Sequence, residues 1–79
     1  MMRIKVKVMG HAAEYYPEDK RVAWEYEAAE GESIRDMLAS AGIKSELVMN
    51  VASKGRVIPK DSLLEEGMEL IIFTPVSGG

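Results

Sequence analysis

Cysteine is absent from this sequence of 79 residues, and histidine occurs once, as His11. The chain therefore has no disulfide bond, and no thiol can act as a nucleophile, a sulfur carrier or a soft metal ligand. One histidine without cysteine cannot supply a transition-metal shell, so we expect no metal site. The sequence also lacks a glycine-rich phosphate loop and a serine in a hydrolase-type motif. These absences leave the sequence without the common motifs for phosphate binding or hydrolysis.

Long hydrophobic runs and an excess of basic residues are also missing. No stretch approaches membrane-spanning length, and the N-terminus has no continuous apolar signal region. The net charge is −3, whereas nucleic-acid-binding domains carry a basic footprint. We therefore predict a soluble cytoplasmic protein that binds neither nucleic acid nor membranes. The 47% hydrophobic content of so short a chain suits one small domain with a single core.

Alternation of apolar and polar residues predicts two strands in the first third of the chain. Ile4, Val6 and Val8 alternate with basic residues, which predicts a half-buried strand with a basic outer face. After a loop, residues 21–27 alternate again. The apolar side of this second strand consists of Val22, Trp24 and Tyr26. The connection between the two strands is too long for a tight hairpin.

One helix is predicted in the middle of the chain. Ser33 is a suitable N-cap, with Asp36 in the capping-box position three residues later. Gly42 is placed to end the helix as its left-handed C′ residue. One face of the helix carries residues at the spacing i, i+3, i+4 and i+7, namely Ile34, Met37, Leu38 and Ala41. Because the helix is short, it must be stabilised by docking this face on a sheet.

The second half of the chain is predicted to contain three more strands. Residues 47–52 form the first, and a tight turn leads into a short strand over 56–58 that Pro59 ends. Residues 61–64 fit a capped single helical turn. The last strand, 68–73, contains a continuous apolar run, which predicts a central position with both faces at least partly covered. This order predicts an α+β domain in which one helix packs on one face of a mixed sheet.

The predicted domain spans residues 1–73, and residues 74–79 are predicted to form a flexible tail. The tail shows no strand-like alternation and ends in Gly78-Gly79. Because glycine has no Cβ, two terminal glycines form a thin strip that can thread a narrow channel in a partner enzyme. Apolar residues beside such a tail have little structural purpose, so we predict that they dock on a partner: Phe73, Pro75 and Val76.

The element order and the ending resemble the ubiquitin-like β-grasp sulfur-carrier family, MoaD/ThiS. The resemblance covers essentially the whole chain and is sharpest over residues 57–79. There, a short strand, a leucine-bearing turn, an acidic-glycine turn, an apolar strand and Gly-Gly follow in the family's order. The ending looks most like that of the small subunit of molybdopterin synthase: Phe73-Thr74-Pro75-Val76-Ser77-Gly78-Gly79.

The resemblance implies a β-grasp fold and a carrier chemistry. An E1-like enzyme would use ATP to adenylate Gly79, and a sulfur donor would convert the adenylate to a thiocarboxylate. Gly78 would keep the approach to Gly79 open. The chain would then be a carrier or co-substrate and not an enzyme. It would deliver sulfur to molybdopterin in complex with the large subunit of the synthase.

Three alternatives stay open from the sequence. Residues 10–16 are long enough for the helix that molybdopterin-type carriers have there but lack its usual arginine. Transfer to a thiazole synthase in the thiamine pathway is therefore the second route for the sulfur. A ubiquitin-like modifier would begin with the same adenylation but end on a lysine amine, forming an isopeptide bond through Gly79. A β-grasp binding module with an incidental Gly-Gly is the third alternative.

Overall fold

The computed structural model of the protein describes residues 1–74, without the side chains of His11 and Ala12. The strands and the helix, in chain order, are β1 (Met2–Met9), β2 (Ala23–Ala28), α1 (Ile34–Ser40), β3 (Asn50–Ser53), β4 (Arg56–Ile58) and β5 (Glu69–Phe73). Short 3-10 helices occupy His11–Tyr15, Glu18–Lys20 and Ser45–Leu47. The strands form one mixed sheet in the order β2-β1-β5-β3-β4. The predicted α+β architecture is confirmed.

The neighbouring strands β1 and β5 explain the alternation of apolar residues in β1 and the continuous apolar run in β5. β1 and β5 lie parallel, and β5 is also antiparallel to β3, so the predicted central position of β5 is confirmed. The side chains of Leu70 and Ile72 are buried on the helix side together with Ile4 and Val6. Ile71 and Phe73 point to the opposite face, where they are only half-buried. The apolar run of β5 therefore supplies the core on one face and an apolar surface on the other.

The predicted helix signals are present. Ser33 Oγ accepts from Asp36 N at 3.2 Å, and Asp36 Oδ2 accepts from Ser33 N at 2.9 Å, which completes a capping box. At the other end Gly42 has φ +77, and the N–H of Ile43 donates to Leu38 O at 2.9 Å, as in a Schellman motif. The helix face that the spacing predicts is buried at Ile34, Met37 and Leu38.

Three local predictions are wrong. Val22 is 76% exposed because β2 begins at Ala23, so Val22 lies before the strand that buries Trp24. The third strand begins at Asn50, since Ser45–Leu47 forms a 3-10 helix. Residues 61–64 form no helical turn: Leu64 N donates to Glu32 O at 2.8 Å, and Ile34 N donates to Ser62 O at 3.0 Å. These backbone groups pair with Glu32 and with Ile34 at the start of α1, and this pairing replaces a helical turn.

Tyr16 is a core residue that the sequence pattern does not reveal. It lies between two 3-10 helices, is 2% exposed, and its hydroxyl donates to Leu47 O at 3.0 Å. No strand or helix periodicity marks it, because it lies in the connection between β1 and β2, directly before Pro17. The bond ties the segment after β1 to the segment before β3, so this loop is packed against the domain.

Tyr16 predicts a loss of stability at high pH. Burial raises the pKa of Tyr16 from its ordinary value of 10.0 to about 12. The folded state thus holds the phenol proton more tightly, and this contribution is full below about pH 10 and disappears as the pH rises through about 12. Denaturant unfolding between about pH 9 and pH 12 should show a steeper decline for wild type than for Tyr16→Phe, which cannot ionise. Parallel declines in the two proteins would contradict this role.

Candidate functional site

Only one of the predicted site residues lies within the described part of the chain, and the others lie beyond it. Gly78, Gly79, Pro75 and Val76 lie outside the described residues, and the predictions about them stay predictions. Phe73 lies inside them, as the last residue of β5. The part of the site that can be built from geometry is therefore the base of the tail and the surface around it.

Phe73 is held by strands on both sides. It is in register with Met9 of β1 and with Asn50 of β3, and its carbonyl accepts from Met49 N at 2.7 Å. Paired residues of neighbouring strands share a face of the sheet. The ring of Phe73 therefore lies on the face opposite α1, half-buried among the side chains of that face.

The strand registers assemble an apolar surface around Phe73. Ile71 is in register with Ala52, and Ala52 in turn with Val57 of β4, so these side chains share the face of Phe73. Met9 and Val57 are 55% and 65% exposed. We call this surface the open-face patch; it consists of Met9, Ala52, Val57, Ile71 and Phe73. Exposed apolar side chains gathered on one face are typical of a protein interaction site.

Charges flank the patch on β1. Arg3 Nε lies 3.4 Å from Glu25 Oε1, and Lys5 is in register with Glu25 and with Glu69. Lys7, by contrast, has the uncharged Ala23 and Ile71 as its register neighbours. Lys7 is therefore a basic residue of the patch's face whose register neighbours on β2 and β5 are uncharged.

Thr74 belongs to the packed part of the protein, one residue beyond the predicted domain boundary. It is 2% exposed, and its backbone N donates to Met9 O at 2.8 Å. Its hydroxyl donates to the same oxygen at 3.2 Å. The predicted division into a domain over residues 1–73 and a flexible tail over residues 74–79 stays a prediction, because residues 75–79 lie outside the described chain. The predicted mobility of the tail beyond Thr74 concerns residues outside the described chain.

The sequence missed most of the open-face patch. It named Phe73 but placed Ile71 in a buried run and gave Met9 and Val57 no role. These residues come from three strands, and only the registers bring them together. The sequence did contain one signal for Met9. On the outer face of β1, three basic residues at alternate positions are followed by this apolar side chain.

Two further features are absent from the side chains that the structure describes within residues 1–74. No group of three or more His, Cys, Asp or Glu side chains that could hold a metal ion occurs there. No helix in this part of the chain is long and apolar enough to cross a membrane.

Known structures share this fold. A putative molybdopterin converting factor subunit 1 from Pyrococcus furiosus matches with a TM-score of 0.72 and 22% identity over 96% of this chain and 100% of its own. SAMP1 from Haloferax volcanii matches with a TM-score of 0.69 and 19% identity, covering 98% and 99% of the two chains. A complex of subunits 1 and 2 of molybdopterin-converting factor from Helicobacter pylori 26695 includes a chain with a TM-score of 0.61 and 20% identity, covering 99% and 100%.

These structural matches confirm the ubiquitin-like β-grasp fold. No curated protein sequence matches the chain. The family model of the ThiS family matches residues 6–79, a range that includes the second half of β1, the helix, the other four strands and the Gly-Gly ending. The chain belongs to the ThiS family of β-grasp proteins.

Proposed function

We propose that this protein is a sulfur carrier whose Gly79 carboxylate is adenylated and then converted to a thiocarboxylate. The observation that carries the proposal is the family match, which runs through the apolar β5 strand to Gly79. The open-face patch supports it, since exposed apolar side chains close to Phe73 are suited to contact a partner that handles the tail. The chain is then a carrier, and the catalysis belongs to its partners.

The chemistry needs an activating enzyme because a carboxylate is a poor electrophile. A carboxylate oxygen of Gly79 attacks the α-phosphorus of ATP, forming an acyl-adenylate and releasing pyrophosphate. A sulfur donor at the oxidation level of sulfide then attacks the acyl carbon, and AMP leaves as the C–S bond forms. ATP is consumed by the E1-like partner, and the carrier itself needs no bound cofactor. The resulting terminal sulfur is a soft nucleophile on a movable arm.

The open-face patch is the proposed docking surface for these partners. Phe73 supplies its largest side chain, and Met9 and Val57 supply exposed apolar area on either side. Such residues anchor interfaces when a partner covers them. We expect Pro75 and Val76 to continue this contact along the tail, while Gly78 fits the narrow end of the partner's channel.

We propose that the sulfur goes to a pterin. The Pyrococcus furiosus and Helicobacter pylori relatives are named as subunit 1 of molybdopterin-converting factor, and the latter is in complex with subunit 2. A molybdopterin synthase large subunit is accordingly the proposed acceptor partner. A thiazole synthase is the alternative acceptor, since the carrier chemistry is the same for both.

The test has two stages. The protein is first incubated with ATP, an E1-like enzyme and a sulfur donor, and mass spectrometry detects replacement of one carboxylate oxygen by sulfur. The product is then given to a molybdopterin synthase large subunit with its pterin precursor, and in parallel to a thiazole synthase. Dithiolene formation is the expected result. Thiazole formation alone would move the chain to the thiamine pathway, and no sulfur incorporation would reject the carrier function.

A modifier function is the second candidate, because the fold is also that of SAMP1, a small archaeal modifier protein. It would share the adenylation but end on a lysine amine of another protein. Isopeptide conjugates that carry the Gly79 carbonyl on lysine, found by mass spectrometry of tryptic peptides, would support it. A sulfur carrier is expected to give thiocarboxylate and no such conjugates.

A further inference from the structure

The turn after β1 lies directly against the base of the tail. Gly10 has φ +119 and ψ 164, a backbone conformation that residues other than glycine rarely adopt. A Cβ atom built on Gly10 would overlap Thr74 Oγ1 and would lie 2.5 Å from the carbonyl oxygen of Thr74. The backbone of Gly10 therefore occupies a space that only glycine fits, and this space is bounded by Thr74.

Thr74 is held from a second direction by its hydrogen bonds. Met9 O accepts both from Thr74 N at 2.8 Å and from Thr74 Oγ1 at 3.2 Å. The side chain is buried, yet its only polar atom is satisfied by the same carbonyl that extends the β1–β5 ladder. We call this arrangement of Gly10, Thr74 and the Met9 carbonyl the latch.

The latch and the open-face patch share a residue. The carbonyl of Met9 accepts the bonds of Thr74, and its side chain lies on the patch beside Phe73. A partner docked on the patch would thus lie at a set distance from Thr74, the last described residue. Each residue released from the sheet would add about 3.5 Å of reach and new directions to the chain that follows.

We propose that Gly10 and Thr74 are positioning residues that fix where the C-terminal tail leaves the domain and so set how deeply Gly79 enters a docked activating enzyme. This inference rests on the proposed carrier function. Reactions between held groups depend steeply on their alignment, and a displacement of about 1 Å can cost about a hundredfold in rate. Opening the latch should therefore slow the chemical step and leave docking on the patch unchanged.

The main variant is Gly10→Ala, whose methyl group would push Thr74 out of place. Gly31→Ala is the matched control: Gly31 also has a positive φ, +89, but nothing lies within 4 Å of a Cβ there. Both variants carry backbone strain, and only Gly10→Ala opens the latch. Thr74→Val removes the hydroxyl at nearly constant shape, and Thr74→Ser keeps it, which gives a pair that does not depend on Gly10→Ala folding.

The measurements are kcat and KM of adenylation with an E1-like enzyme, with the carrier as the varied substrate. We expect kcat to fall about tenfold to a hundredfold in Gly10→Ala and KM to stay within about twofold. Thr74→Val should lower kcat more than Thr74→Ser, and Gly31→Ala should resemble wild type. Equal kcat in Gly10→Ala and Gly31→Ala, or a change confined to KM, would overturn the proposal.

Amide hydrogen exchange of Thr74 separates this proposal from the proposed function. The amide should be protected in wild type and Gly31→Ala and should exchange rapidly in Gly10→Ala. Equal protection in all three proteins would show that no latch exists, whatever the kinetics. If wild type is protected but is never adenylated, the carrier function fails, and with it the role of the latch in activation.

Discussion

Removal of Gly79 is expected to abolish thiocarboxylate formation while leaving the domain folded. The truncated chain would still end in a carboxylate, now on Gly78, but that group would stop short of the activating enzyme's reactive centre. Because the reaction needs the carboxylate at a fixed depth, we expect no detectable sulfur on the product. The assay is mass spectrometry after incubation with ATP, an E1-like enzyme and a sulfur donor.

A chain extended by one residue after Gly79 is the matched control for this deletion. It keeps both glycines but moves the carboxylate in the other direction, so it should be equally inactive. Thermal unfolding of both variants should coincide with that of wild type, because residues 1–74 contain all the described secondary structure. Full sulfur incorporation on the truncated protein would disprove the role given to Gly79.

Replacing Leu38 by Ala is expected to cost about 2–5 kcal/mol of the free energy of unfolding. Leu38 is 1% exposed on the face of α1 that docks on the sheet, and truncation leaves a cavity there. The whole free energy of unfolding of a small domain is only about 5–15 kcal/mol, so this loss is a large share of it. Denaturant unfolding of both proteins measures it, and a loss below 1 kcal/mol, the scale of a surface change, would show that the helix face is not part of the core.

Phe73→Ala is the matched change on the opposite face of the sheet. Phe73 is only half-buried, so its truncation should lower stability less than Leu38→Ala does. Phe73→Ala should weaken binding to the activating enzyme more than Leu38→Ala does. The Kd should rise by about tenfold or more if Phe73 is an interface anchor. Calorimetric titration of both variants gives the comparison. If Phe73→Ala destabilises the fold as much as Leu38→Ala, Phe73 is a core residue and the docking role is wrong.

Local chemistry determined much of this protein from the sequence alone. The capping box at Ser33 and the glycine after α1 depend on residues a few positions apart, so the helix could be bounded correctly. Strand alternation depends on a period of two, so most strands could be located, although the starts of β2 and β3 could not. The apolar run of β5 lacks that alternation, so its central place in the sheet could be predicted as well. The Gly-Gly ending and the apolar residues before it resembled the family that the family model then showed.

The tertiary structure alone decided what depends on residues distant in the chain. The open-face patch exists because strand registers align Met9 with Phe73 and Ala52 with Val57. Tyr16 packs in the hydrophobic core, and Leu47 O accepts from its hydroxyl, a pairing that no local pattern encodes. Residues 61–64 stay non-helical because backbone groups at the start of α1 pair with those of Ser62 and Leu64.

The contact of Gly10 with Thr74 is the same kind of case, since 63 residues of chain lie between them. Sequence periodicity reports which side of one element is apolar. It carries no information on which elements meet, because that depends on how all of them pack together.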